Sequence, residues 1–600
     1  MRSTTSSNDI KTIVRDNFKR FWTVPAFGLF WLLIWGLVPV MLLSSADDIV
    51  EFSDFTYNVN IGYPIFVMLM PIVCGLTVFS YLQNPSASNH MHSLPLSRSK
   101  LFWANVLSGL LMIAAPIIAN GIIMSIYAVC TGNPMFFKWM IVTFICSAAI
   151  FAITAFAAMI SGNTLMHLFN ACFFNGALAL ILVVIVNLCE TMLMGYETPD
   201  GLMTFILYSN AFTASIGESS RLLISIVYLV VTVAALLVAW TIYKRRPIER
   251  TGESLVFSWT RALLFLICVF SGALLIGLFT VTILSNDSIY RLDHNMVIGM
   301  LIGGVATFVI GSILIDRSAK IFTKQNLLPA AIALALAFAV SGGASADVFG
   351  YSKYIPQVKD VKSVCVDVQN SSLFVASNDK DNTASFFPGY ADYYKNVAEV
   401  KEINDTLYPC FSSEESIEAI IGLQESLLGQ KTEDMTYIDS VRFVYELKNG
   451  KTVRRSYDIY VPIDGEEDAD AIDPKIRKAA GELYDSKEFK TIYSLNNLKP
   501  DYFEKGAVTY CIDPYGEDSD YLAISTKDAI ELKAAMEKDF QKLNYDKAMN
   551  YSGVIDATRK TDPNADVDDD DAFTDMIEFS IPKEAKNTRT WLKDHNFKVK

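Results

Sequence analysis

The side chains that usually carry catalysis are few in this sequence, and their spacing fits no common reaction centre. Five histidines occur in 600 residues, and they form neither an HExxH motif nor a Cys/His zinc spacing. There is no G-x-S-x-G nucleophile elbow and no G-x-x-x-x-G-K-[ST] phosphate loop, since GLQESLLGQKT at 422–432 has the wrong glycine spacing. We therefore expect a chain that catalyses no reaction and binds neither a metal nor ATP itself.

The nearest approach to a metal site is the acidic stretch DPNADVDDDDAF at 562–573. Its first five residues resemble a calcium loop, but Val567 stands where glycine makes the turn and Phe573 where the bidentate glutamate belongs. We interpret the stretch as a solvated acidic loop, with adventitious calcium binding as the alternative.

The nine cysteines favour at most one disulfide. Six of them lie in or at the ends of apolar segments, where a thiol behaves as a small apolar group. The other three, Cys365, Cys410 and Cys511, are widely spaced in the second half of the chain. Three is an odd number, so one pair is allowed and a complete disulfide framework is not.

The elements that must position any site are mostly membrane helices, because 52% of residues are hydrophobic and only 19% are charged. Nine apolar segments approach the roughly 20 residues that a membrane helix needs. The last is the weakest, because its apolar run from Leu327 to Val340 is short. The predicted spans are 24–44, 61–82, 102–130, 138–160, 166–189, 221–243, 261–284, 295–315 and 327–344.

Charge separates the chain into two parts. Residues 1–345 carry 18 basic and 15 acidic side chains, whereas residues 346–600 carry 32 basic and 49 acidic ones. This composition excludes a cytosolic enzyme, a disordered tail and a nucleic-acid binder as descriptions of the whole chain, since the acidic part would repel phosphate backbones. The predicted fold class is a polytopic α-helical membrane protein of about nine spans, followed by a soluble α+β domain.

Orientation follows from the basic residues of the short loops. With the N-terminus inside, the cytoplasmic segments hold 15 of the 18 basic residues, and the outer loops hold only Lys138, Arg221 and Arg291. An odd number of spans then places residues 346–600 outside the cytoplasm, and loss of the ninth span would reverse this. That last segment also resembles a signal peptide with an Ala344-x-Ala346 cleavage site, but we prefer an ordinary final span.

Polar residues inside the spans are uncharged. No span carries a central Asp, Glu, Lys or Arg, which disfavours a transporter driven by protons or sodium. The asparagines either hydrogen-bond between helices, which we prefer, or line a pathway and contact a substrate. These residues are Asn120, Asn170, Asn175 and Asn187.

The most informative loop is QNPSASNHMHSLPLSRSKLFWANVLSGLL at 83–111, between the second and third predicted spans. Pro95 ends any helix that precedes it, and Arg98 and Lys100 hold this end at the cytoplasmic face. Before the first span, residues 8–22 place apolar side chains at helical spacing opposite Lys and Arg, which predicts an amphipathic helix in the membrane interface.

SLPLSRSK at 93–100 resembles the first cytoplasmic loop of export-class, type-2 ABC transporter permeases, where SLP-[LV]-[ST]-R-x-K precedes the third span. The amphipathic N-terminal segment, the short SGNTL turn at 161–165 and the interrupted apolar loop at 201–217 are also similar to that family. The resemblance covers about residues 8–245. It implies that the first loop forms a coupling helix on a separate ATPase subunit. The coupling residues it implies are His92, Ser93, Leu94, Pro95, Leu96, Ser97, Arg98, Lys100, Ser161, Gly162 and Asn163.

The resemblance also implies the partners and the location of the chain. Two permease subunits, either two copies or a copy and a paralogue, would work with the ATP-binding subunit, which binds ATP and Mg²⁺. The chain would lie among the lipids of the cell membrane of a Gram-positive bacterium and bind no nucleic acid. Export is favoured over import, and the substrate is not implied.

The sequence departs from this family in its second half. The domains we expect are an amphipathic helix at 1–23, a six-span core at 24–245, three added spans at 246–345 and an extracytoplasmic α+β domain at 346–600. The added parts leave a second hypothesis open: a polytopic sensor or scaffold whose outer domain binds a ligand and which transports nothing. A membrane-embedded enzyme is disfavoured by the missing intramembrane acids and His/Cys clusters.

Patterns in the last domain predict individual elements. SVRFVYEL at 440–447 and TVRRSYDIYVPI at 452–463 flank Asn449-Gly450, which predicts a β-hairpin with a type I′ turn. Helices are predicted at 411–429, with a capping box between Ser412 and Glu415, and at 525–543 and 588–595. Trp591 is interpreted as a core residue, with a ligand platform as the alternative.

Overall fold

The protein is described here by a computed structural model, in which the chain divides into two units. The first unit comprises Met1–Leu188, Thr198–Val281 and His294–Ser341, and the second comprises Cys189–Glu197, Thr282–Asp293 and Gly342–Lys600. The structure describes residues 5–37, 62–131, 136–215, 221–284, 291–317, 321–368, 373–374, 376–379, 382–384, 393–395, 400–403, 406–430, 435–462, 472–504, 507–511, 522–560 and 573–598.

The first unit is helical. Its helices are α1 Thr5–Phe21, α2 Thr23–Leu32, α3 Gly62–Val78, α4 Pro85–Ser93, α5 Arg98–Thr131, α6 Phe136–Ile160, α7 Thr164–Met192, α8 Asp200–Leu207, α9 Ala211–Ala214, α10 Arg221–Arg245, α11 Ser258–Leu284, α12 His294–Asp316 and α13 Lys324–Ser345. The last residues of α7, α11 and α13 belong to the second unit. Seven of the described helices are long and apolar enough to cross a membrane, namely α5, α6, α7, α10, α11, α12 and α13. A membrane-embedded helical part is therefore the architecture of this unit.

These seven helices coincide with the last seven predicted spans. The ninth predicted span, the weakest in the sequence, is a helix of 22 residues that continues through Pro329. The other two predicted spans correspond to shorter apolar helices at Thr23–Trp35 and Gly62–Val78, and part of the segment predicted at 24–44 lies outside the described residues. The count of nine spans therefore stays a prediction.

Helix α6 packs against α3, α5 and α10. Small side chains make this packing close, because Ala149, Ala152 and Ala155 are fully buried along α6. A Cβ atom on Gly75 of α3 would lie 2.4 Å from Thr154, so only glycine allows that approach. Helix α1 lies along α5, where the Asn17 amide donates hydrogen bonds to Asn105 at 2.9 Å and to Ser108 at 3.0 Å.

The described residues of the second unit form three antiparallel sheets. Its strands are β1 Val361–Val366, β2 Ala376–Asp379, β3 Asn382–Ala384, β4 Val400–Ile403, β5 Thr406–Phe411, β6 Met435–Leu447, β7 Thr452–Pro462, β8 Ala507–Cys511, β9 Leu522–Ile524, β10 Tyr551–Lys560 and β11 Phe573–Pro582. The strand orders are β4-β5-β1-β6-β7, β11-β10-β8-β9 and β2-β3. Together with the helices of this unit, these strands confirm the predicted α+β character of the C-terminal region.

The helices of the second unit cover these sheets. They are α14 Glu414–Leu428, α15 Pro474–Tyr484, α16 Lys487–Ile492, α17 Pro500–Phe503, α18 Thr526–Lys542, α19 Tyr545–Ala548 and α20 Lys586–Asp594. The predicted helices at 411–429, 525–543 and 588–595 are therefore confirmed as α14, α18 and α20. Trp591 is partly buried and packs against the main apolar core of the unit, as its interpretation as a core residue requires.

The predicted hairpin is confirmed, but its turn differs from the prediction. Val441, Phe443 and Tyr445 alternate along β6 and are fully buried. Among the described residues, Gly450 adopts a φ of 80° while Asn449 is not at positive φ, so the type I′ turn is wrong. The N–H of Leu447 donates to the Lys451 carbonyl at 2.9 Å, which leaves a three-residue loop with the left-handed residue last.

The predicted capping box of α14 is also corrected. Ser413, not Ser412, is the N-cap residue, and its hydroxyl accepts the N–H of Ser416 at 3.2 Å. Ser412 is engaged elsewhere, because its N–H and hydroxyl both donate to the Glu488 carboxylate of α16, at 2.8 and 3.0 Å. The same carboxylate also accepts the N–H and the hydroxyl of Ser413, at 2.9 and 2.6 Å, so a residue from a distant part of the chain holds both serines at the start of the helix.

A disulfide joins Cys365 of β1 to Cys410 of β5, which face each other in the strand register. Cys511 is buried and lies outside this disulfide. The structure therefore selects one pair from the three that the sequence left open.

Replacing Cys365 and Cys410 together by serine is expected to lower the free energy of unfolding by about 4 kcal/mol, because the bond closes a loop with a sequence separation of 45. Thermal melting of the purified chain with and without reductant measures this. The wild-type chain should melt at a lower temperature in reductant, and the double variant should be indifferent to it. Equal melting of both chains in the absence of reductant would contradict the prediction.

Candidate functional site

The predicted coupling loop forms a short helix followed by an extended segment. Asn84 caps α4 by accepting the N–H groups of Ser86 and Ala87, and Pro85 occupies the first helical position, where it needs no hydrogen bond. The backbone is extended at Leu94, the Leu96 N–H donates to the Leu94 carbonyl at 2.7 Å, and helix α5 begins at Arg98. The SLPLSRSK motif therefore connects α4 to α5, and we call this connection the α4–α5 hinge.

One face of α4 is open to solvent. Ser86, Asn89, His90 and Ser93 are exposed at positions i, i+3, i+4 and i+7, which is one helical stripe. Ser88 on the opposite face is 1% exposed, and His92 is half-buried. Of the motif residues, Ser93, Pro95 and Ser97 are exposed, whereas Leu94, Leu96, Arg98 and Lys100 are half-buried. Sequence analysis missed Asn89 and His90, although helical periodicity from Ser93 could have found them.

His92 connects the inner face of α4 to α10. Its Nδ1 lies 2.8 Å from the Ser88 carbonyl, which can only accept, so Nδ1 carries the proton. Nε2 is then free to accept the Tyr243 hydroxyl at 3.2 Å, and Tyr243 in turn lies 3.1 Å from the Tyr81 hydroxyl. Burial lowers the pKa of His92, and the charges of Arg98 and Arg246 lower it further, which keeps the ring in the neutral form that this chain of bonds requires.

Arg246 is the centre of the site. Its side chain is 3% exposed, although it directly follows α10 in a basic KRR sequence. The guanidinium donates to the carbonyls of Ala158 at 2.7 Å and Met159 at 2.8 Å. It also donates to Leu82 at 2.8 Å and Ser161 at 2.9 Å. These carbonyls end α6 and the chain that follows α3, so one cation satisfies acceptors that helix ends leave without donors.

Arg98 completes the connection. Its guanidinium donates to the carbonyls of Lys244 at 3.2 Å and Arg246 at 2.9 Å, at the end of α10. Arg98, the first residue of α5, therefore binds the end of α10. Arg246 at that end binds the end of α6 and the chain that follows α3. We call Arg98, Arg246, His92, Tyr243 and their carbonyl partners the arginine cluster.

The turn between α6 and α7 belongs to the same end of the bundle but is covered. Ser161 is fully buried and forms a β-bridge with Leu255, and the N–H of Gly162 donates to Ser254 at 3.2 Å. The Asn163 amide donates to the Glu253 carbonyl at 3.2 Å, and Asn163 is 8% exposed. The covering loop exposes Glu249, Arg250 and Glu253 instead, which sequence analysis did not single out.

The four asparagines fall into three groups. Asn170 donates to the Ser161 hydroxyl at 2.8 Å and so bonds beyond its own helix. Asn175 and Asn187 donate to carbonyls one turn earlier in α7, Ala171 and Val183. Asn120 is 1% exposed, and neither its oxygen nor its nitrogen has a partner among the described residues. A role for any of them in a pathway stays a prediction.

A second feature lies in the C-terminal unit, where residues after α7 dock on β7. The Ser456 N–H lies 3.4 Å from the Gly195 carbonyl, and Gly195 adopts a φ of 75°. A Cβ atom at Gly195 would lie 2.6 Å from the Tyr457 ring. The neighbouring Tyr196 ring packs on Tyr351 with centroids 5.6 Å apart, and Arg455 lies 3.9 Å over that Tyr351 ring. We call this contact the Gly195 dock.

In the part of the chain that the structure describes, no three His, Cys, Asp or Glu side chains are grouped as metal ligands. Comparisons of the chain with protein-family models, with curated proteins and with solved structures found no match. The geometry of the arginine cluster and the Gly195 dock therefore carries the functional argument.

Proposed function

We propose that the chain is the membrane-spanning permease subunit of an ATP-driven ABC transporter, working as an exporter with a separate ATPase subunit. The observation that carries this proposal is the connection of α4 to the helix ends. Its exposed stripe offers a docking surface, while His92 and Arg98 attach its inner side and hinge to α10. Arg246 then attaches α10 to α6 and to the chain after α3.

This connection suits the transmission of force. Hydrogen bonds from a charged donor to several helix ends hold those ends in one geometry, so a push on α4 displaces them together. The chain itself supplies no hydrolysis; ATP and Mg²⁺ belong to the partner subunit. In this proposal a second copy or a paralogue completes the pathway, and the uncharged spans favour an amphipathic or lipid-like cargo over an ion.

The proposed topology places the arginine cluster in the cytoplasm and the C-terminal unit outside the cell membrane. The distribution of basic residues supports this orientation, and so does the Cys365–Cys410 disulfide, because such bonds persist in oxidising compartments. The Gly195 dock also supports it. Residues 189–197 comprise the last turn of α7 and the chain that follows it; the sequence assigns α7 to an inside-to-outside span, and these residues belong to the C-terminal unit.

Co-purification tests the proposal directly. We would isolate the tagged chain from its native cells in mild detergent and identify its partners by mass spectrometry. A stoichiometric partner that carries a G-x-x-x-x-G-K-[ST] loop is the expected result. A chain that purifies without any nucleotide-binding partner would refute the permease assignment.

Replacing Asn89 and His90 together by glutamate is expected to reduce the co-purified ATPase at least about tenfold. Both side chains are exposed on α4, and two carboxylates enclosed in a docking interface would weaken it by more than the roughly 1.4 kcal/mol that a tenfold change represents. Lys353→Glu, an exposed substitution in the C-terminal unit, is the control and should leave the yield of the complex unchanged. An undiminished complex in the double variant would exclude α4 as the docking helix.

A second candidate is a polytopic sensor or scaffold that transports nothing, and the Gly195 dock is the observation that favours it. The C-terminal unit includes residues 189–197, which continue from α7. A conformational change caused by ligand binding in this unit would therefore reach α7 without any ATPase. The two candidates differ in one result. The Asn89/His90 substitutions should impair a permease and leave a sensor unaffected.

A further inference from the structure

A buried polar cluster lies on one face of the four-stranded sheet. Ile555, Ala557, Ile577 and Phe579 belong to the main apolar core of the C-terminal unit. Side chains alternate along a strand, so Asp556, Glu578 and Ser580 point to the opposite face. That face is largely shielded from solvent, because Asp556 is 5% exposed, Ser580 is fully buried and Glu578 is half-buried.

The two carboxyl groups are direct neighbours. Asp556 of β10 stands opposite Glu578 of β11 in the register, and Thr509 of β8 stands opposite Asp556 on its other side. Directly opposed residues place their Cβ atoms about 4.5–5.5 Å apart, within reach of one shared ligand. Ser580 follows Glu578 on the same face, opposite Val554.

The oxygens of this cluster lack partners. Asp556 Oδ1, Glu578 Oε1 and Ser580 Oγ are buried and accept or donate no hydrogen bond among the described residues. Burial raises the pKa of Asp556 to about 6, and burial together with the Asp556 charge raises the pKa of Glu578 to about 7. Two adjacent carboxylates, one buried and one half-buried, repel each other and are unfavourable unless a positive charge or a proton compensates them.

We propose that Asp556, Glu578 and Ser580 bind a hard divalent cation, Mg²⁺ or Ca²⁺, between β10 and β11. Carboxylate and hydroxyl oxygens are the ligands that these cations prefer, and a double positive charge neutralises the pair. Mg²⁺ commonly uses one or two carboxylates and keeps its waters, whereas Ca²⁺ takes more protein oxygens. The cation cross-links the two strands and stabilises the sheet. This site is independent of the proposed transport function.

The test is thermal melting of the full chain in dodecyl maltoside at pH 8, where no anionic lipid competes for the metal. After dialysis against EDTA, Mg²⁺ or Ca²⁺ is added at 5 mM, and KCl of equal ionic strength serves as the reference. We expect one of the two cations to raise the melting temperature by at least about 3 °C, because a ligand of the native state stabilises it by mass action. Equilibrium dialysis with the effective cation should give one bound ion per chain.

The variant Asp556→Asn with Glu578→Gln should lose this cation-dependent rise, whatever its own melting temperature in EDTA. The matched control, Glu531→Gln with Asp594→Asn, removes the same two charges from exposed positions and should keep the full rise. The proposal is overturned if neither cation shifts the wild-type chain beyond KCl, which would indicate a carboxyl pair that holds a proton. It is also overturned if the Asp556/Glu578 variant responds like the wild type.

Discussion

Replacing Arg246 by methionine is expected to destabilise the helical unit more than any other single change that we consider. The substitution leaves the carbonyls of Leu82, Ala158, Met159 and Ser161 buried without the donor that they share. Hydrogen bonds to a charged group contribute about 1.5–3 kcal/mol each, so even with strong non-additivity the loss should exceed about 4 kcal/mol. The temperature at which the detergent-solubilised chain loses its monodisperse peak in size-exclusion chromatography measures this loss.

The neighbouring Arg245 provides a matched control. It carries the same charge one residue earlier but is exposed, and Arg245→Met should change stability by less than about 0.5 kcal/mol. Arg246→Lys should lie between the two, because an ammonium group keeps the charge and cannot reproduce the planar fork. If Arg246→Met and Arg245→Met melt within a degree of each other, the arginine cluster does not hold the helix ends.

Replacing Gly195 by valine is expected to release residues 189–197 from β7. Two effects add: a left-handed backbone costs a non-glycine residue roughly 1–2 kcal/mol, and the new side chain meets the Tyr457 ring. In limited proteolysis, the segment between α7 and α8 should then be cut at least about tenfold faster than in the wild-type chain. The reason is that the dock excludes the protease only while the dock is formed.

Gly201 is the control for this experiment. It does not adopt positive φ, and a Cβ atom there meets nothing within 4 Å, so Gly201→Val should leave the cleavage rate unchanged. The Gly195→Val chain must also retain the melting temperature of its helical unit, because the dock lies within the C-terminal unit. Unchanged cleavage of Gly195→Val would show that the dock does not protect this segment.

Local patterns in the sequence predicted much of the fold. The seven long apolar helices, the β6–β7 hairpin and the helix at Thr526–Lys542 follow from periodicity, composition and capping residues that lie close together in the chain. The Asn449-Gly450 turn shows the limit, because the dipeptide marked the turn but not its loop length. Ser412 shows a second limit, because the competing Glu488 is remote in sequence.

The candidate site was predicted only in part. Sequence resemblance indicated the α4–α5 hinge and the turn at Ser161, and the structure brings both to one end of the helical unit. It did not indicate Arg246, whose four acceptors come from separate stretches of chain and leave no local pattern. The orientation argument from basic residues counted Arg246 together with its exposed neighbours Lys244 and Arg245. Only burial distinguishes it from them.

The Gly195 dock also has a consequence for biogenesis. Residues 189–197 leave the ribosome long before Ser456 and Tyr457 are made, so in the proposed topology β7 would pack against a segment that has already been inserted and translocated. In the proposed topology, insertion of α7 in the wrong direction would leave residues 189–197 in the cytoplasm. The C-terminal unit would then lack a packing partner and stay open to extracytoplasmic proteases. In that topology, the dock would make survival of the finished protein depend on correct insertion of its helices.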